Sequence, residues 1–351
     1  MRKTNLIQYK ELEKFIRNIL LKLNVSKFSS IAVSKGLCDA SLRGVDSHGI
    51  SLFPHYVKSV IKGRKNGNPN FKISKKYPTV ALLDADHAFG LVAGKKAVNI
   101  GEKLCNKNGI SAVAVYNSTH PGALASILLD SAKRGYLAFA FTHADSLLKS
   151  FNGIRSYFGT NPICFVAPRG KKEPYCLDMS SSVMNWNKLL RYRKNNKKLP
   201  KGIAADKFGL DTTNPKKATS ILSIGNYKGY GLASMIEILC SVLTGMKFGR
   251  NIPSMYKTSI PKKRKLGQFY IFIKNDVCVS NLNFIRKISQ LSKEVNSEPS
   301  MNNKKVLLPN DPEIIISKER DKNGIPIEND LYQQFQKISR TYKIKLKTIN
   351  N

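Results

Sequence analysis

The hydrophobic repeat of this chain changes period at Tyr77 and changes back after Asn281, which divides the sequence before any residue is given a role. Within 8–23, Leu12, Phe15, Ile16, Ile19, Leu20 and Leu23 recur at helical spacing. Ser26 stands where a cap belongs for a second helix from Lys27 to Leu42, and Pro54 to Ile61 reads as a third, ended near Gly63. After Tyr77 strands alternate with helices. Thr79–Leu83, Ser111–Tyr116, Tyr136–Thr142, Pro162–Ala167, Tyr175–Leu177 and Gln268–Lys274 read as strands. The segments 91–107, Ala123–Lys133 and Lys228–Thr244 read as helices, and 189–226 as a basic connection. From Asn281 the chain is helical again, with a polar loop at Glu298–Lys305 and a last helix near 328–342. This order predicts an α/β fold: an α/β domain over 77–280 set between helical ends, 1–76 and 281–351, that can pack together.

A chain of 351 residues, 42% hydrophobic and 23% charged, has enough apolar material for a full core. The opening Met1-Arg2-Lys3-Thr4-Asn5 is polar, which argues against a signal peptide, and the best apolar run, Ala233–Met246, is broken by Glu237. Six scattered cysteines, at 38, 105, 164, 176, 240 and 278, read as reduced thiols, so the cytoplasm is expected. The net charge of +36 is spread along the chain, and its densest runs, Arg191–Lys201 and Lys262–Lys265, carry few aromatics. That pattern predicts incidental polyanion binding rather than a specific nucleic-acid partner, and no membrane partner.

One stretch concentrates chemistry: Arg43-Gly44-Val45-Asp46-Ser47-His48-Gly49. Histidine titrates near neutrality and suits proton transfer to a reacting oxygen. Taken alone, the stretch reads better as a helix stop at Gly44 and a cap at Asp46 or Ser47, since Ser-His pairs beside glycine are common. Three adjacent side chains cannot make a hydrolase triad with one another, and no Gly-x-Ser-x-Gly elbow occurs. Metal-binding motifs are absent as well, so no metal ligand is assigned. Further polar groups stand where predicted strands begin or end: Asn117–Gly122, Gly159–Pro162 and Asp178–Ser182. Ligands of α/β sheets collect at strand ends, so these segments predict one cleft. Gly225–Gly231 is glycine-rich and opens a helix, yet Gly-x-Gly-x-x-Gly is absent, so a bound dinucleotide implies a fold other than the Rossmann type.

Together these motifs resemble the malate/L-lactate dehydrogenase family of NAD(P)-dependent, non-Rossmann oxidoreductases, over about residues 8 to 340. The resemblance rests on Arg43–Gly49, Asn117-Ser118-x-His120, Gly159–Pro162, Leu177–Met179, Lys228–Leu232 and Gly267–Phe269. It implies a mixed-sheet α/β domain beside a helical domain built from both chain ends, NAD or NADP as cofactor, a homodimer, and a small 2-oxo or 2-hydroxy acid as substrate. By the same resemblance His48 is the proton donor, with Ser47 in a relay, and Thr160 a substrate contact. His120, Pro121, Gly122, Ala123, Leu124, Asp178, Met179, Ser180, Tyr227 and Lys228 match cofactor positions, with His120 the base in some members. The family's late Pro-Gly-Glu corresponds to Pro309–Glu313, which adds Asn310.

This chain departs from the family at three places. Ser51 and Leu52 stand where an arginine usually follows the histidine, Asn187 replaces a glycine, and Ser180–Ser182 replace Ala-Thr-Ser. Without that arginine the substrate carboxylate lacks its two-pronged grip, and Lys188 is the expected replacement, with Arg43 second. The alternative activities are a cyclic-imine reductase, which Lys188 in place of an acid disfavours, and an impaired member retained as a polyanion- or RNA-binding protein.

Overall fold

The computed structural model describes residues 4–349; Met1, Arg2 and Lys3 of the polar opening lie outside the described residues. In chain order the strands are β1 (Thr4–Ile7), β2 (Lys72–Tyr77), β3 (Val80–Asp84), β4 (Ile110–Ser118), β5 (Tyr136–Thr142), β6 (Leu148–Lys149), β7 (Ser156–Phe158), β8 (Ile163–Arg169), β9 (Lys172–Met179), β10 (Ala204–Ala205), β11 (Ser220–Ile221), β12 (Leu266–Lys274) and β13 (Ile325–Glu328). The helices are α1 (Tyr9–Lys22), α2 (Lys27–Leu42), α3 (Phe53–Ile61), α4 (Gly90–Asn108), α5 (Ala125–Lys133), α6 (Trp186–Lys194), α7 (Tyr227–Glu237), α8 (Asn281–Ser297), α9 (Asp311–Asn323) and α10 (Asn329–Tyr342).

A mixed seven-stranded sheet, ordered β2-β3-β4-β12-β5-β8-β9, forms the frame. Among the described residues of this sheet only β3 and β4 run parallel; its other neighbouring pairs are antiparallel. That is not the all-parallel order of a Rossmann sheet. Strand β12 lies centrally and is almost wholly buried, which its run Phe269-Tyr270-Ile271-Phe272 requires. Helices α4 and α5 cover the sheet, while α2 packs on both and joins the sheet to the helical layer.

The helical layer closes the chain on itself. Phe335 of α10 lies 5.9 Å from Phe15 of α1 and 5.5 Å from Phe53 of α3, ring centre to ring centre. Each such pair contributes about 0.5–1.5 kcal/mol beyond area burial. Strands β1 and β13 pair antiparallel beside this cluster. Ser26 caps α2 as expected, its side chain accepting from the Ser29 amide.

Four parts of the fold differ from the sequence reading. Strand β2, Lys72-Ile73-Ser74-Lys75-Lys76-Tyr77, is exposed along its whole length, so no alternation marks it; its lysines guard a sheet edge. Helix α9 carries Ile314, Ile315 and Ile316 in succession, which hides the helical period. The paired strands β1 and β13 are too short to show a period of two. The basic connection at 189–226 starts inside α6 and then forms β10 and β11, which join β6 and β7 in a four-stranded sheet. Met184, Leu189, Leu199, Ala204, Ala218 and Ile221 give that region its own small core. Among the described residues no helix is long and apolar enough to cross a membrane. All six cysteines are free, five of them buried.

Candidate active site

A cleft of about 770 Å³ opens where β4, β5 and β9 end, and the turn after α2 closes one side of it. Helix α2 stops because Gly44 takes a φ of +82°, a conformation open to glycine at little cost. The chain then makes a single 3₁₀ turn, Asp46–His48, rather than starting another α-helix. Gly49 lets this turn lie against α2: a Cβ there would meet the Ser41 hydroxyl at 2.1 Å. The backbone therefore holds Ser47 and His48 close against the end of α2.

Ser47 Oγ lies 2.9 Å from His48 Nδ1, so Nε2 is the nitrogen left for a ligand. The His48 ring stacks beside His120, centroids 5.4 Å apart. His120 Nδ1 accepts from the Gly122 amide at 3.3 Å, which places the proton of the neutral ring on Nε2. Both rings line the cleft. Burial lowers His48 to about 4. Burial also carries His120 well below the usual histidine range, with the charges of His48 and Arg264 adding to it. Two neutral imidazoles thus share one wall.

Polar groups to which the sequence reading assigned no role fix that wall. The loop carrying His120 is held by Lys65, whose Nζ donates to Thr119 Oγ1 at 2.8 Å. Gln268 of β12 donates to Ser118 Oγ at 2.8 Å and accepts from the Tyr270 hydroxyl at 2.6 Å. Asn187 donates to the Ser47 carbonyl at 3.1 Å and so ties α6 to the histidine turn. His143, just beyond β5, accepts from the Gly267 amide at 2.9 Å, and burial lowers it to about 3.

Of the residues singled out by sequence, Ser47, His48, His120, Gly122, Ala123, Thr160, Asp178, Met179, Ser180 and Asn310 all line this cleft. Pro121 and Leu124 are buried directly beside it in the chain. Asp178 accepts from the Ala125 amide at 2.8 Å at the start of α5. Asp178 is exposed along the cleft, yet desolvation by the enclosing protein raises its carboxyl to about 6 against the pull of the Ala125 and Leu124 amides.

Lys188, Tyr227 and Lys228 stand apart from these walls. Lys188 is exposed on the first turn of α6, while its neighbours Asn187 and Leu190 face the cleft. Tyr227 and Lys228 are exposed at the start of α7, where the Tyr227 ring meets Phe151 at 5.9 Å. Arg43 does line the cleft, and so does Arg264. Arg264 is only 3% exposed, donates to the Pro253 carbonyl at 2.9 Å and pairs with Asp145. In sequence it sits inside the run Lys262–Lys265, which reads as a solvated patch. Its one distinguishing signal is its place just before the buried strand β12.

The malate/L-lactate dehydrogenase family model matches residues 7–336. The chain is 32% identical over 328 residues to the ureidoglycolate dehydrogenase (NAD(+)) of Escherichia coli K12, covering 93% of this chain and 94% of that protein. Its fold superposes on the sulfolactate dehydrogenase of Methanocaldococcus jannaschii with a TM-score of 0.90 at 29% identity, covering 97% and 98% of the two chains. The Δ1-piperideine-2-carboxylate reductase of Pseudomonas syringae shares the fold at a TM-score of 0.86 and 24% identity, over 95% and 100% of the two chains. On its sequence over nearly its whole length, and on a mixed sheet with a histidine pair in the cleft, the chain belongs to the malate/L-lactate dehydrogenase family.

Proposed function

We propose that the protein transfers a hydride between a nicotinamide dinucleotide and a small 2-oxo or 2-hydroxy acid, with His48 moving the proton at the substrate oxygen. The observation that carries this reading is the His48–His120 pair on the cleft wall, backed by Ser47. The bound nicotinamide supplies or accepts the hydride. His48 Nε2 gives its proton to the developing alkoxide in reduction and takes it back in oxidation. The Ser47 hydroxyl can donate to Nδ1 or accept from it, so the pair serves both directions. His120, with its proton on Nε2, donates a hydrogen bond to the same oxygen. Thr160 adds a polar contact to the substrate.

The cleft fits a polar dinucleotide. Ser126 Oγ, in the first turn of α5, and Asn310 Oδ1 are buried polar atoms without a partner among the described residues, and both residues line the cleft. Buried polar groups left unpaired are costly, so they mark where a ligand completes the hydrogen bonding. Asp178, Met179 and Ser180 would hold the dinucleotide from the β9 side. For the substrate carboxylate, Arg264 is the cation best supported by position, since it lines the cleft and its charge bears on His120.

Helix α7 and the π-helical turn that continues it expose Tyr227, Met235, Ile238, Val242 and Leu243, an apolar surface that supports the expected homodimer. Sedimentation of the wild type beside Ile238→Lys tests it: a dimer that falls to monomer is expected, and a monomeric wild type contradicts it. The buried free thiols support a reducing compartment such as the cytoplasm. A cyclic-imine substrate is the second reading, favoured by the fold shared with the Pseudomonas reductase. Nicotinamide absorbance with NADH and NADPH against a panel of 2-oxo acids and cyclic imines decides among these. Turnover of a 2-oxo acid supports the proposal, and turnover confined to imines replaces it with the second reading.

A further inference from the structure

One wall of the cleft is irregular chain. Ser254, Met255, Tyr256 and Lys257 line it, in a segment without helix or strand between Asn251 and Leu266. Such backbone leaves carbonyl groups with no ladder partners, and each needs a donor when buried. Four of them converge on one side chain, Arg64. Its Nε donates to the Ile260 carbonyl at 2.6 Å, and its Nη1 to Met255 at 2.9 Å. Its Nη2 donates to both Thr258 and Ser259 at 2.9 Å. Arg64 is 1% exposed, so this guanidinium fills the inside of the loop. The far end of the wall is anchored separately, by Arg264 on the Pro253 carbonyl and by Asp145, whose Oδ2 accepts from the Met255 amide at 3.3 Å.

The place of Arg64 in the chain gives this cage a consequence for the site. It follows α3 by three residues, and α3 also carries Tyr56, whose hydroxyl donates to the His120 carbonyl at 3.3 Å. The next residue, Lys65, holds Thr119 beside His120. One short stretch therefore grips the histidine loop with Tyr56 and Lys65, and the Met255–Lys257 wall of the same cleft with Arg64.

We propose that Arg64 is the positioning residue that sets the Met255–Lys257 wall at a fixed height over His48 and His120, and so governs which acid fits between them. The proposal rests on the dehydrogenase reading for its substrate, but not for the cage itself. A lysine cannot replace the arginine here, because one ammonium cannot reach four carbonyls that a planar fork spans. Arg64 touches no reacting atom in this account, so its loss acts on substrate fit before proton transfer.

The test compares wild type with Arg64→Lys and Arg64→Ala. The expected result for Arg64→Lys is a KM for the accepted acid raised about tenfold or more, with a smaller change in kcat and dinucleotide affinity within about twofold. Trypsin should cut after Lys257 in the folded variant and not in the wild type, and added guanidinium ion should lower KM in Arg64→Ala. An unchanged KM together with a protected Lys257 in folded Arg64→Lys overturns the proposal. Should neither variant fold, the wild type alone decides: rapid trypsin cleavage after Lys257 overturns the cage, and resistance under conditions that cut other exposed lysines supports it. A wild type that turns over no acid sinks the dehydrogenase reading, while the cleavage pattern still reads Arg64.

Discussion

Arg320 and Asp46 meet in a two-pronged ion pair, Nη1 to Oδ1 at 2.6 Å and Nη2 to Oδ2 at 3.0 Å, across 274 residues of chain. Asp46 opens the turn that carries Ser47 and His48, and Arg320 lies on α9 near the other end of the sequence. The same guanidinium donates to the Ser41 carbonyl in the last turn of α2. A helix from one end of the chain thus sets the aim of a histidine near the other.

This arrangement makes a prediction about rate rather than stability. The Asp46 side chain is 43% exposed, so the pair contributes at most about 1 kcal/mol to folding. A displaced His48, in contrast, costs up to about 10²-fold in turnover. Arg320→Met should therefore lower kcat by about 10- to 100-fold while Tm and dinucleotide affinity stay close to wild type. Arg320→Lys, with one point charge, should fall between. Steady-state kinetics beside a thermal melt checks it; equal losses of Tm and kcat in step would show a folding effect instead.

The grip on the substrate carboxylate separates two cations. Lys188 is exposed on α6, whereas Arg264 is buried on the cleft wall. Arg264→Lys keeps a charge beside Asp145 but loses the fork, and should raise KM for the acid by about tenfold or more. Removing the charge altogether leaves Asp145 unpaired and costs stability, about 3–5 kcal/mol where such a pair is buried. Lys188→Met should change KM by less than about twofold. The reverse order of effects would return the carboxylate to Lys188.

The pH dependence follows from the lowered histidines. His48 in the free protein titrates near 4 because it is enclosed, so its proton-donating form is a small fraction at neutral pH. Reduction needs that form, and kcat/KM reports the free protein. For the 2-oxo acid, kcat/KM should climb about tenfold per unit as pH falls from 8 toward 5.5. Oxidation of the hydroxy acid uses the neutral ring and should stay level over the same range. A plateau of the reduction below pH 7 would mean that His48 titrates as an ordinary histidine.

The excess positive charge has its own test. In the basic run that starts in α6, Arg191 pairs with Glu328 and Lys194 with Asp330, so part of it is engaged with the α10 end of the fold. RNA affinity should be independent of sequence and should collapse between 50 and 200 mM salt, about 10³-fold for a handful of phosphate contacts. Dinucleotide binding should persist across that range. Sequence-selective RNA binding that survives high salt would favour the polyanion-binding alternative.

What the sequence made legible follows from range. Elements with a clean local period were placed to within about two residues: α1, α2 with its Ser26 cap, α4, β5 and β12. The histidine stretch and the strand-end motifs were legible because several short signals fall in one order. Arg264, Arg64 and Arg320 were not. Each is a polar side chain whose partner lies far away in sequence, so nothing local separates it from a solvated residue. Lys188 shows the converse: a position beside the right motif, on the outward side of a helix whose period its basic neighbours hide.

Everything proposed for the cleft turns on His48 carrying the proton. The direct measurement is hydride transfer by His48→Ala, with dinucleotide affinity measured on the same preparation. Turnover should fall by about 10²–10⁴-fold, the usual cost of a lost general acid, with dinucleotide affinity within about twofold of wild type. Turnover near wild type in a folded His48→Ala protein would contradict it and leave His48 a structural residue of the 3₁₀ turn.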